Sequence, residues 1–412
     1  MPVQSIDQLI EVSESRSFKV CWTRRNPNAG RGMGPAGVRD DLIVQWYLEG
    51  LEASYRALTQ MGWTQPRVGS GGKTLVFVSE LSELFGVDSP FTSSDMMGVP
   101  FIGLASRTNE PTLAAAQWRA VADAAHEATH VLNASYRPFL DVYSVPWIWF
   151  NEGTAVFMES QTSAGNPDSL RFAMDWSDCP EVPLDSEIAW YQAGLFVRYL
   201  HQRFGPTVLS RVWRESDVRE SPSTTMDRIL QEQPGGLRFA SPDPNITDVF
   251  GAGYCVDSYF VRGFAPEVFE RYGGRAVSES FELGSQERVG VKGRDTLDHL
   301  ACRYYRFFPR QGTKRIQVVL HSFPPDELSR LRAELVIVGP NFTRGPSIRM
   351  QPAPANPVEN SFRLEADLSP FDPSSVDHAV LVVANCGWGT AKNRAGTPVD
   401  DAQEYSIQAT AD

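Results

Sequence analysis

The chain has 412 residues, 42% of them apolar, with 38 Lys and Arg against 50 Asp and Glu for a formal net charge of −12. That length implies two or three domains, with ample apolar content for a core. The acidic balance argues against nucleic acid or an anionic membrane as a general partner, and no apolar run approaches the length of a membrane span. Met1 to Arg16 is largely polar and Leu9-Ile10-Glu11-Val12 is too short for the apolar centre of a leader, so the chain reads as cytoplasmic or as a mature form whose leader has been removed. Its five cysteines, Cys21, Cys179, Cys255, Cys302 and Cys386, include no Cys-x-x-Cys pair, so buried free thiols are expected in place of a zinc ribbon or a disulfide framework.

In chain order, Ser17 to Trp22 reads as a strand, Arg25 to Gly37 as a Gly- and Pro-rich loop, and residues 39–61 as a helix through Leu42, Val44, Trp46, Leu51, Tyr55 and Leu58. Two strands follow at Thr74–Val78 and Pro100–Ala105. Between the helix and these strands, Ser70-Gly71-Gly72-Lys73-Thr74 invites a phosphate-loop reading. It fails because Arg67 stands where the first glycine is needed and a strand follows in place of a helix.

The segment from Thr112 to about Asn133 is rich in strong helix formers and has no internal Gly or Pro. Asn109 is the expected cap, with Pro111 in the first turn, and Leu113, Ala116, Ala120 and Ala124 form the expected buried stripe. This helix carries His126-Glu127-Ala128-Thr129-His130. Two histidines at i and i+4 lie about 40° apart around a helix, so both imidazoles leave one face and can bite one metal ion. Zinc suits imidazole and carboxylate, and a catalytic zinc takes three protein groups and leaves a position open. Glu127 stands beside the first histidine, where its carboxylate can take a proton from an attacking water. A second helix is expected from Val145-Pro146-Trp147-Ile148-Trp149-Phe150 into Asn151-Glu152-Gly153-Thr154-Ala155, with Glu152 near its start.

An HExxH helix followed by an apolar run and Asn-Glu-Gly-x-Ala resembles the gluzincin metallopeptidases, the thermolysin-like branch of the zincins, and is similar to the bacterial peptidases loosely grouped as MA-like. The resemblance is specific over residues 112–160. It implies a zinc peptidase acting on peptide or protein substrates, with His126, His130 and Glu152 as zinc ligands and Glu127 as general base. A metzincin would need Gly at Asn133 and His at Tyr136, and an aspzincin would need Asp at Phe157. Thermolysin-like members place an Asp four residues past the third ligand to hold the first histidine; here that residue is Val156, which leaves Asp123, Glu159 or a backbone carbonyl for the task. By the same analogy Phe101–Ser106 is the expected cleft-edge strand that receives an extended substrate.

Ile188 to His201 reads as a further amphipathic helix ending near Phe204-Gly205-Pro206, similar to a helix of the MA-like peptidases at this place. Tyr191, His201 and Tyr254 are the options for a donor to the oxyanion, with Tyr191 preferred. Residues 215–245 read as a polar surface excursion and Asp248–Arg262 as a last helix of the catalytic part. From about Gly293, short apolar runs at Cys302–Phe308, Arg315–Leu320, Ala333–Val338, Ser361–Leu368, His378–Cys386 and Tyr405–Thr410 alternate with turn residues. The expected fold is α+β: a zincin-like catalytic domain made of an N-terminal α/β part (1–110) and a helical part (111–290), then an antiparallel β-sandwich of roughly six to eight strands (291–412). The competing readings are a binding or adaptor protein with a catalytically silent zinc site, and a zinc hydrolase acting on a non-peptide substrate.

Overall fold

The computed structural model describes residues 9, 11–23, 38, 41–66, 68, 71–95, 97–108, 110–163, 171–172, 175–176, 178–186, 189–217, 219–243, 245–260, 277–283, 288–290, 295–310, 313–323, 330–349, 351–352, 361–367, 376–387 and 402–411. The fold is mixed α+β and divides into two compact units: residues 1–172 with 193–220, and residues 173–192 with 221–412.

The first unit is built on a five-stranded sheet of β1 (Glu11–Glu14), β2 (Phe18–Trp22), β3 (Thr74–Ser79), β4 (Phe91–Ser94) and β5 (Pro100–Ala105), in the order β1-β2-β3-β5-β4. The three central strands run parallel and the two outer pairs antiparallel. Alternation along the strands sends Phe18, Val20, Val76, Val78, Ile102 and Leu104 into one core. That core is closed by α1 (Leu42–Gln60) and α3 (Leu113–Asn133) through Tyr47, Leu51, Ala120, Ala124 and Ala128. The two helices approach closely at Gly50, where an added Cβ would sit 2.4 Å from the Val121 carbonyl oxygen. On the other sheet face Phe77, Phe85, Phe91 and Phe101 pack edge-on or tilted, and Gly103 leaves room for the Phe91 ring. The short α2 (Leu81–Leu84) follows β3.

The expected cleft-edge strand is corrected by this order. Phe101–Ala105 lies inside the sheet, paired on both sides, and among the described residues the outer edge beside it belongs to β4. A Phe-Thr-Ser-Ser strand of four residues with one wide turn carries too little apolar alternation to be read in advance. The motif helix is capped by Thr112, whose side chain accepts from the Ala115 N–H; Asn109 lies outside the described residues. Its first two turns are not a buried stripe: Leu113 is 66% exposed, and most residues are buried only from Ala120.

After α4 (Phe139–Val142), α5 (Val145–Thr162) starts behind Ser144 with Pro146 in its first turn and is buried on nearly every face. It is the central helix of the unit. α6 (Gly194–Phe204) lies against it, and the contact explains both glycines: a Cβ on Gly153 would sit 3.0 Å from the Ala193 backbone, and one on Gly194 would sit 2.7 Å from Val156 Cγ1. The expected helix of 188–201 is thus shorter at its start, with turns at 189–193 and Ile188 outside the described residues. α7 (Val208–Glu215) completes the unit, its Trp213 ring packed at a tilt against Trp147 and Phe150.

The second unit contains two sheets that share one core: β13-β14-β10-β16-β7, with β8 also on β16, and β12-β11-β15-β9-β6. The strands are β6 (Glu279–Leu283), β7 (Arg288–Gly290), β8 (Asp295–Leu297), β9 (Ala301–Pro309), β10 (Arg315–Phe323), β11 (Leu331–Gly339), β12 (Thr343–Arg349), β13 (Gln351–Pro352), β14 (Ser361–Asp367), β15 (His378–Asn385) and β16 (Gln403–Ala411). All pairings are antiparallel except β6 with β9. The expected surface excursion at 215–245 is corrected as well, since it holds α8 (Pro222–Gln231), capped by Ser221 and buried through Met226, Ile229 and Leu230. A π-helical turn (Phe250–Cys255) leading into α9 (Val256–Phe260) occupies the place of the last expected helix. Both groups belong to the unit of the two sheets, and the compact unit that holds the motif helix ends at Glu220.

Candidate metal centre

α3 and α5 lie side by side, and their facing turns bring three ligand atoms together. The His126 and His130 Nε2 atoms lie 3.2 Å and 3.5 Å from the same oxygen, Glu152 Oε2. Among the described residues, His126, His130 and Glu152 are the group whose ligand atoms all fall within 4.8 Å of one another. His130 and Glu152 are buried and His126 is half-buried. Two imidazoles and one carboxylate converging in this way could hold a metal ion.

The tautomers suit the same task. His126 Nδ1 lies 2.6 Å from Glu159 Oε1, so Nδ1–H donates to that carboxylate and Nε2 is the ring atom directed at the cluster. Of the groups named for this role, the structure selects Glu159. It stands seven residues after Glu152, two turns along the same face of α5, whereas Asp123 is directed to an ion pair with Arg119 at 3.7 Å. His130 Nδ1 is buried with no hydrogen-bond partner among the described residues, and the Tyr143 ring lies 5.6 Å from the His130 ring.

Charge is balanced tightly here. Burial depresses the His126 pKa, but the hydrogen bonds to Glu152 and Glu159 outweigh it and hold it well above the ordinary histidine value. Burial raises the Glu152 carboxyl, yet the His130 and His126 rings prevail and keep it well below the usual carboxylate range. Glu127 is pushed upward, chiefly by burial, against the pull of His130 and His126. Its Oε2 accepts a hydrogen bond from Thr92 Oγ1 at 2.7 Å, which ties the carboxylate to edge strand β4. Neither β4 nor Thr92 is signalled in the sequence. Asp123, one turn before His126, is raised to about 7, mainly by burial.

The expected oxyanion donors are not gathered by these contacts. Tyr191 is 42% exposed and, with Tyr254, belongs to the second unit, where Tyr254 is buried against Trp176. His201 sits on α6 with its ring 5.0 Å from Phe157. Tyr143, in the link between α4 and α5, is the phenol that stands beside a ligand ring, and its place thirteen residues after His130 carries no periodic signal.

No helix among the described residues is long and apolar enough to cross a membrane. No curated protein matches the chain. A family of unknown function, DUF6055, matches residues 112–235, a stretch that opens at the cap of α3 and includes His126, Glu127, His130 and Glu152.

Proposed function

We propose that the chain is a zinc-dependent peptidase of gluzincin type, its first unit a zincin-like catalytic domain. The observation that carries the reading is the convergence of His126 Nε2, His130 Nε2 and Glu152 Oε2, with the buried Glu127 carboxylate adjacent in sequence and held by Thr92. His126, His130 and Glu152 would hold the ion, and zinc there would supply a Lewis acid that polarises a carbonyl and acidifies water. Glu127 takes the proton of the water that attacks the scissile carbonyl and delivers it to the amine as the C–N bond breaks. Tyr143, next to His130, is the phenol we assign as donor to the developing oxyanion. The outer edge of β4, which also presents Thr92 to Glu127, is the edge we assign to an extended peptide pairing as an added strand.

Cleavage of an unfolded protein such as casein tests the reading. The parent cleaves it, Glu127→Gln retains the metal and loses at least about a hundredfold in rate, and Tyr143→Phe lowers kcat with zinc retained. Equal cleavage by parent and Glu127→Gln would refute the assignment of the base.

A further inference from the structure

Two buried asparagines flank the ligand set without contributing to it. Asn133 follows His130 by one turn on α3, and Asn151 immediately precedes Glu152 on α5; both are fully buried. Asn133 is therefore closed to glycosylation in the folded chain even though it begins an Asn-x-Ser sequence. Its Nδ2 donates to Asn151 Oδ1 at 2.9 Å, and its Oδ1 accepts from the indole Nε1–H of Trp63 at 3.0 Å.

The polarity of this relay is set from outside the two ligand helices. An indole N–H can only donate, so the oxygen end of the Asn133 amide must face Trp63 and its nitrogen end must face Asn151. Asn151 is then compelled to offer its oxygen, which leaves its Nδ2 buried with no hydrogen-bond partner among the described residues. Trp63 is itself fixed by the end of α1: Gly62 takes φ +92°, and the Trp63 N–H donates to the Leu58 carbonyl at 3.0 Å. An unpaired buried amide donor is destabilising. An apolar trio of similar volume would avoid that cost, so stability alone gives no reason for the relay. What it supplies is register. A metal site requires its ligands within about 0.2 Å of their working distances, and a directional bond of 2.9 Å between α3 and α5 resists axial slip in a way that apolar contacts do not.

We propose that Trp63, Asn133 and Asn151 are positioning residues for the metal cluster, holding α5 in register against α3 so that Glu152 meets both imidazoles. The inference rests on the reading of His126, His130 and Glu152 as metal ligands. Its test separates fit from stability by measuring zinc affinity against a chromophoric chelator, and urea unfolding with chelator present, on parent and on the triple variant Trp63→Phe/Asn133→Leu/Asn151→Leu. Replacing every partner leaves no polar group orphaned, so the triple variant is expected to equal or exceed the parent in urea. Its zinc affinity is expected to fall about tenfold or more, the loss typical of removing groups that orient ligands. A folded triple variant binding zinc as tightly as the parent overturns the proposal. Should that variant not fold, Trp63→Phe alone decides, because it removes the donor that orients both amides: on protein that urea unfolding shows to be folded without zinc, weakened zinc binding supports the proposal, and unchanged binding overturns it. A parent that binds no zinc overturns the metal reading itself, whatever the variants do.

Discussion

Glu159 is the residue through which the geometry makes its most quantitative demand. Its Oε1 lies 2.6 Å from His126 Nδ1, and the side chain is only 8% exposed. A short, charge-assisted bond of this kind fixes the ring's rotation and tautomer and makes Nε2 a better donor. Glu159→Gln keeps an acceptor for Nδ1–H but removes the charge; Glu159→Leu removes both. Loss of a carboxylate that orients a ligand histidine costs about 10–100-fold in metal affinity, which is about 1.4–2.8 kcal/mol at 1.4 kcal/mol per decade. The expected losses at pH 8 are therefore about tenfold for Gln and about a hundredfold for Leu, read by zinc competition against a chromophoric chelator. The pH dependence gives a second check. Glu152 and Glu159 raise the His126 pKa, and a cation must displace that proton, so affinity climbs as pH rises through it. Without the Glu159 charge the proton is held less tightly, the climb ends at lower pH, and the gap between parent and Glu159→Gln narrows on acidification. Parent-like affinity in Glu159→Leu across the pH range would refute this reasoning.

Two further outcomes follow from packing and charge around the same helices. Gly194→Ala drives a Cβ to 2.7 Å from Val156 Cγ1 and should lower stability by about 1–3 kcal/mol, a fall in Tm that Val156→Ala in the same chain should largely reverse; an unchanged Tm in the single variant would contradict the close approach of α5 and α6. Asp123, raised from 3.8 to about 7 by burial, binds its proton more tightly folded than unfolded, so its contribution is present at pH 4 and is lost as pH rises towards 7. Asp123→Asn should therefore gain about 4 kcal/mol over the parent at pH 8 and little at pH 4, measured by urea unfolding with chelator present; a gain equal at both pH values would show that the burial of the carboxylate is not its source.

What the sequence made legible was what periodicity and spacing encode. The i and i+4 histidines, the helix carrying Glu152 behind its apolar run, the central strands of the first sheet and the main strands of the second unit all stand where alternation or helical repeat put them. What escaped depended on partners distant in sequence. Thr92 lies on a strand too short and polar to announce itself, and its contact with Glu127 spans 35 residues. Glu159 was one option among several until the seven-residue step from Glu152 became a shared helix face, a signal present in the sequence but not decisive without the packing of α5 on α3. α8 was hidden by its polar composition, although Ser221-Pro222 ahead of Met226, Ile229 and Leu230 is a capped helix start with one apolar face. The preference for Tyr191 rests on likeness to a helix of the MA-like peptidases, whereas residues 189–193 form turns ahead of α6.

Elemental analysis of purified protein tests the central claim most directly. The account predicts one zinc per chain in the parent and in Glu127→Gln, and loss of that zinc on mild dialysis from Glu152→Ala. Zinc absent from the parent, or retained equally by Glu152→Ala, would contradict the assignment of His126, His130 and Glu152 as the metal centre.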